Sequence, residues 1–185
     1  MRHIRRNERG QLTIGGHIAV DLAERFGTPL YVYSGDGLVA HYAAFASAVS
    51  ELDCVVHYAV KANSSLGVLG LLAQQGAGAD IVSGGEMKRA LIAGIAPDKI
   101  VFSGVGKTDD EIRAALQAGI AQFNAESATE LRHISQIAAE TERQAPVALR
   151  VNVNVDPGSH AKISTGQRST KFGIPVADDE AAMLY

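Results

Sequence analysis

The chain has 185 residues, 46% of them hydrophobic and 20% charged, which is enough apolar content to bury a core and excludes a disordered segment. Its formal net charge of −3 comes from 17 basic and 20 acidic residues interleaved along the chain. That balance lacks the electrostatic footprint of a nucleic-acid binder or of a protein held on an anionic membrane, so a small-molecule partner is the expectation.

The N-terminal stretch MRHIRRNERG is basic, and no apolar segment long enough for a secretory signal or a membrane span follows it. It reads as a solvated arm, and residues 1–26 as an arm and helix ahead of the main domain. Residues 27–37, GTPLYVYSGDG, carry β-branched and aromatic residues between Pro29 and a Gly-Asp-Gly turn, which predicts a short strand. Leu38, Tyr42, Phe45, Val49 and Leu52 then recur at spacings of four and three, the stripe of an amphipathic helix. Cys54 is the sole cysteine, so it has no internal disulfide partner. Its apolar surroundings predict a buried, inert thiol, in keeping with a reducing cytoplasm.

Apolar strand-like runs follow at residues 55–60, 79–82, 100–103, 121–124 and 147–152, with helical stretches between them. Thr108-Asp-Asp-Glu and Ser127-Ala-Thr-Glu both predict capping boxes, and Gly76, Gly94 and Gly119 stand where helices should stop. Regular alternation of strand and helix predicts an α/β fold with a parallel sheet and right-handed crossovers. No GxGxxG fingerprint follows the first strand, which favours a TIM-like (β/α)8 barrel over an open doubly wound sheet. A complete barrel takes roughly 250 residues. Residues 27–185 supply about five or six of its βα units. The sequence stops inside what reads as a helix opened by Pro175 and the acidic Asp178, Asp179 and Glu180, so a fragment is expected.

The most informative stretch is HYAVKAN, residues 57–63, where an apolar strand ends directly in Lys61. Side chains at the carboxyl ends of barrel strands line the active-site mouth. A desolvated lysine there favours its neutral amine, which condenses with an aldehyde to form a Schiff base. The bland alternative is the first residue of a solvated loop. Ser83, Gly84, Gly85 and Glu86 suit an anion-binding helix N-terminus, and a plain strand-to-helix turn explains them equally well. The polar stretch 156–170 is long enough to need a functional reason. His160 within it reads as a loop residue rather than a catalytic acid. The remaining histidines show no metal-ligand spacing, so no metal site is expected.

HYAVKAN, GADIVSGGEMKRAL, FSGVGKTDDEI, FNAESATEL, LRVNVNVDPGSHAKISTG and KFGI resemble, in the same order, segments of the diaminopimelate decarboxylase family, and the likeness runs from Gly27 to Ile174. Single motifs of this set also mark ornithine and arginine decarboxylases and alanine racemases. The resemblance implies an alanine-racemase-type barrel with pyridoxal 5'-phosphate carried on Lys61, and release of carbon dioxide from meso-diaminopimelate to give L-lysine. It also implies Asp80 and Arg150 at strand ends around the cofactor, Arg150 near the ring hydroxyl, and Ile163 in a lid that approaches substrate. Further implications are a cytoplasmic homodimer at full length and a C-terminal β-domain outside this chain. The fragment alone is then expected to be inactive. The competing readings are a decarboxylase of another basic amino acid or of carboxynorspermidine, and a non-catalytic relative that binds the same cofactor.

Overall fold

The computed structural model of the chain describes residues 3–155, 172–175 and 183–184. Its N-terminal residues form a small antiparallel sheet instead of a loose arm. In it β1 (Ile4–Arg6) pairs with β2 (Leu12–Ile14), and β2 with β3 (His17–Ile18). Asn7 makes the first turn, its side-chain oxygen accepting from the N–H groups of Arg9 and Gln11, and Gly10 supplies a φ of 77°. All of β1 is exposed, so its charges are solvated as expected even though its backbone is paired. The helix α1 (Ala19–Phe26) follows.

Residues 28–34 have strand composition but join no ladder among the described residues. Propensity supplies only an extended backbone; a strand also needs a partner. The Gly-Asp-Gly expected as a turn is instead the first turn of α2 (Gly35–Ala48), where the Ser34 hydroxyl accepts from the Gly37 N–H at 3.2 Å. The stripe predicted on this helix is half used. Leu38 and Tyr42 pack on Val68, Leu72 and Ala77, whereas Phe45 and Leu52 are exposed. Cys54 is also exposed, against the expectation of a buried thiol.

Five parallel strands form the central sheet: β4 (His57–Ala59), β5 (Gly78–Ile81), β6 (Ile100–Phe102), β7 (Gln122–Ala125) and β8 (Val147–Leu149). They stand in strictly sequential order. A doubly wound sheet reverses its strand order at a switch point, and this sheet never does, which is the arrangement of a barrel wall. The crossovers are α3 (Leu66–Gln74), α4 (Gly84–Ile92), α5 (Asp109–Ala118) and α6 (Ala128–Glu140).

Alternation along the strands decides the two faces. Ala79, Ile81, Ile100, Phe102, Phe123 and Ala125 are fully buried in one cluster with helix residues such as Leu69, Met87, Ile112 and Ile134. Phe102 and Phe123 stack there with ring centroids 6.2 Å apart. Each large apolar side chain buried there contributes about 1.5–3 kcal/mol of burial free energy. The residues between them, Asp80, Val101, Gln122, Asn124 and Ala148, share the opposite face, the inside of the barrel wall, and are half-buried.

The predicted glycine stops are all present: Gly76, Gly94 and Gly119 take φ values of 86°, 94° and 72° just beyond their helices. After β8 the chain continues into β9 (Val151–Asn152), which pairs in parallel with β10 (Ile174–Pro175). Pro175 itself lies in a strand, where its missing N–H is tolerated because the strand is short; Asp178, Asp179 and Glu180 of the expected helix lie outside the described residues.

Candidate active site

The carboxyl ends of the five parallel strands share one rim, and three sequence-predicted residues lie on it. Lys61 sits in the 3-10 turn Val60–Ala62 directly after β4. Val60 is fully buried and pins the turn, while Lys61 is exposed and has no hydrogen bond or ion pair among the described residues. The burial expected of this lysine is thus not provided by the five strands. The exit from the turn is fixed by Asn63, whose side-chain oxygen accepts from the Ser65 N–H at 2.9 Å and whose carbonyl accepts from the Tyr58 hydroxyl at 3.3 Å. Burial pushes the Tyr58 phenol up from its usual range, and the nearby Tyr33 adds to this.

Asp80 lies on β5 with Ala59 of β4 as its Cα partner on one side and Val101 of β6 on the other, one strand from Lys61. It is no lone solvated carboxylate. The Ser103 hydroxyl donates to Asp80 Oδ1, Asn124 Nδ2 donates to Ser103 Oγ at 2.9 Å, and Gln122 Nε2 donates to Asn124 Oδ1 at 2.7 Å. Sequence reasoning missed these three residues. Their signal was polar character at the inward positions of strands 100–103 and 121–124, which the hydrophobic reading of those runs passed over.

Arg150 follows β8, its N–H bonded to the Ala125 carbonyl at 2.9 Å. Its guanidinium donates to Glu126 Oε1 at 2.8 Å and lies 5.0 Å from the centre of the Phe172 ring. The arginine side chain is 39% exposed, whereas that of Glu126 is 4% exposed and its Oε2 is buried without a hydrogen bond among the described residues. Glu126 is itself held from below. Glu130 Oε2 accepts from the Glu126 N–H at 2.7 Å, and Glu130 Oε1 takes the Lys107 ammonium at 2.9 Å. Only half of the capping box predicted at Ser127 forms: the Ser127 hydroxyl accepts from the Glu130 N–H, but the Glu130 carboxylate is committed to Glu126 and Lys107.

The Ser83–Glu86 turn is no vacant anion site. The Gly84 N–H donates to Glu111 at 2.7 Å, the Glu86 N–H to the Ser83 hydroxyl, and the Val82 N–H to the Glu86 carboxylate. The plain-turn reading holds. Lys61 and Arg150 stand at opposite edges of the five-stranded sheet, so the described residues do not bring them into contact. Ile163 and His160 lie outside the described residues. Among the described residues no group of three or more His, Cys, Asp or Glu side chains is arranged to hold a metal ion, and no helix is long and apolar enough to cross a membrane.

A sequentially ordered barrel wall with an unpaired lysine amine on its carboxyl rim defines a (β/α)-barrel domain suited to a carbonyl-bearing cofactor. The chain belongs to the pyridoxal-dependent decarboxylase family, since residues 36–185 match the model of that family's pyridoxal binding domain. It is 54% identical over 172 residues to a diaminopimelate decarboxylase of Pseudomonas fluorescens, covering 92% of this chain and 41% of that relative. The crystal structure of the M. jannaschii diaminopimelate decarboxylase superposes with a TM-score of 0.89 at 40% identity, covering 98% of this chain and 43% of the other. The Helicobacter pylori diaminopimelate decarboxylase complexed with L-lysine gives a TM-score of 0.85 at 41% identity, covering 90% of this chain and 42% of the other. The chain thus spans about two fifths of the length of the relatives it matches.

Proposed function

We propose that this chain is the cofactor-carrying part of a decarboxylase that converts meso-diaminopimelate to L-lysine and carbon dioxide, with pyridoxal 5'-phosphate held by Lys61. The observation that carries the reading is the unpaired Lys61 amine on the rim, one strand from Asp80, in a chain 54% identical to a diaminopimelate decarboxylase.

The residues fit the group chemically. An aldehyde calls for a primary amine, the phenolic oxygen beside it for a cation, and Lys61 and Arg150 supply these. The phosphate has no comparable cradle among the described residues, because the glycine turn at Ser83–Gly85 is already occupied. When bound, the cofactor supplies the electron sink that lets the bond from Cα to the substrate carboxylate break. Lys61 anchors and releases the aldehyde carbon; Asp80, held by three hydrogen bonds in series, presents a fixed carboxylate to the same mouth. The Glu126 carboxylate aims the Arg150 guanidinium, and the Phe172 ring covers one of its faces.

On this reading residues 27–185 belong to the barrel, the remaining barrel units and a further β-domain lie outside the chain, and the enzyme works as a cytoplasmic homodimer. The test is carbon dioxide release from meso-diaminopimelate by the protein at its relatives' length, next to the variant K61A. One carbon dioxide per L-lysine, lost in K61A, is expected. Turnover of a different basic amino acid or of carboxynorspermidine, with none of meso-diaminopimelate, would overturn the substrate assignment; cofactor binding with no turnover of any of them would leave a non-catalytic relative.

A further inference from the structure

We infer that Ser103, Asn124 and Gln122 are positioning residues of the cofactor site, acting through Asp80 without touching the cofactor. The inference rests on the proposal that Asp80 faces the bound cofactor. It comes from the polarity of one hydrogen-bond series that crosses three strands.

The Gln122 side-chain nitrogen can only donate, so the Asn124 oxygen it meets is the acceptor. The Asn124 nitrogen is then left to donate to Ser103 Oγ, and the single hydroxyl proton of Ser103 is left for Asp80 Oδ1. Every donor in the series points the same way and ends on one carboxylate oxygen. Bonds aligned in this manner polarise one another, so the last is stronger than it would be alone. Asp80 Oδ2 makes no hydrogen bond among the described residues and stays available at the barrel mouth.

A purely structural role explains this poorly. The inner face of a barrel wall is ordinarily filled by branched apolar side chains, as Val101 illustrates between Asp80 and Gln122. Four half-buried polar groups there are costly to desolvate and are tolerated only when mutually satisfied. Lys107, Glu130 and the helix caps already tie the same strands together on the other side. What the series adds is a fixed orientation for one carboxylate. The other ionisable groups on the flanking strands and just beyond their ends are His57 and Lys61 with β4, Glu126 after β7 and Arg150 after β8; the Ser103 variants alter none of them.

The test uses the full-length protein loaded with pyridoxal 5'-phosphate and five variants: D80N, S103A, S103T, S103A/D80N and Q122M. For each, the pH midpoint of the lysine-bound cofactor's absorbance is measured together with the thermal midpoint. D80N should move the pH midpoint. S103A should move it in the same direction by about half a pH unit or more, roughly a threefold change in the protonation constant. S103T, which keeps the hydroxyl, should stay near wild type, and S103A should add nothing in the D80N background. Q122M, at the far end of the series, provides a milder case expected to shift in the same direction by less. A lowered thermal midpoint with no pH shift in S103A and Q122M, while D80N does shift, overturns the inference and leaves the proposed function standing. A shift in S103A that persists in the D80N background also overturns it. No shift in D80N itself removes Asp80 from the site and overturns the inference, while the decarboxylase reading, which rests on Lys61, is tested separately by K61A.

Discussion

The Glu111 carboxylate caps two helices at once: it accepts from the Gly84 N–H on α4 at 2.7 Å and from the N–H of Thr108, the N-cap of its own helix α5, at 3.0 Å. The bond from Gly84, then those from Thr108, hold its carboxyl below the usual carboxylate range against the opposing effect of burial. Because the folded chain binds this proton more weakly than the unfolded chain, the contribution to stability is complete above the unfolded value of about 4.5 and is lost as pH falls below it through the folded value. E111Q is expected to cost about 1–2 kcal/mol at neutral pH, the scale of a lost helix cap. Urea unfolding of wild type and E111Q from pH 7 down to pH 3 should show a gap that narrows on acidification; a gap that widens would contradict the assignment.

Gly84 is part of the same device. A Cβ there would come within 2.9 Å of Glu111 Cγ, so G84A should displace the carboxylate and forfeit most of the same stabilisation. In a double-mutant cycle G84A and E111Q should be markedly less than additive. Full additivity would mean that the two residues act separately.

Lys107 is the second test of the rim's scaffold. Its side chain is 1% exposed and its ammonium meets the Gly104 carbonyl at 2.8 Å, the Asn124 carbonyl at 2.9 Å and Glu130 at 2.9 Å. K107M strands the Glu130 charge, at 14% exposure, and is expected to cost about 3–5 kcal/mol. K107M/E130Q should recover part of that loss, since the amide still accepts from the Glu126 N–H without the unpaired charge. Equal unfolding midpoints for K107M and wild type would show that the ammonium is not the tie between β6 and β7.

Gly78 has no positive φ, and what requires glycine there is space. A Cβ would lie 2.5 Å from the Lys99 carbonyl oxygen and 2.6 Å from the His57 ring. The carbonyl belongs to the backbone and cannot swing aside, so G78A is expected to destabilise the sheet by about 1–3 kcal/mol, the ordinary range of overpacking. Thermal unfolding measures it, and a neutral G78A would mean that β4 and β5 separate more easily than their register implies.

The barrel wall was legible because strand-like segments alternate regularly with helical ones, and because Thr108, Gly76, Gly94 and Gly119 mark helix ends by local chemistry alone. Residues 28–34 misled because a strand is completed by a partner, which sequence pattern does not supply. The N-terminal sheet was hidden because its short strands, IRR, LTI and HI, lie among charged and polar residues and form no apolar run. Lys61, Asp80 and Arg150 were nameable from motif position. The hydrogen bonds that hold Asp80 and Arg150 were not: Ser103 lies 23 residues from Asp80, and Glu126 lies 24 from Arg150. Only the fold brings such pairs together.

The most direct measurement is borohydride reduction of the full-length protein loaded with pyridoxal 5'-phosphate, followed by peptide mapping. A reduced pyridoxyl adduct on Lys61, within the peptide that carries HYAVKAN, is the result predicted. An adduct on another lysine, or none at all, would contradict the assignment of Lys61 and move the cofactor site elsewhere on the molecule.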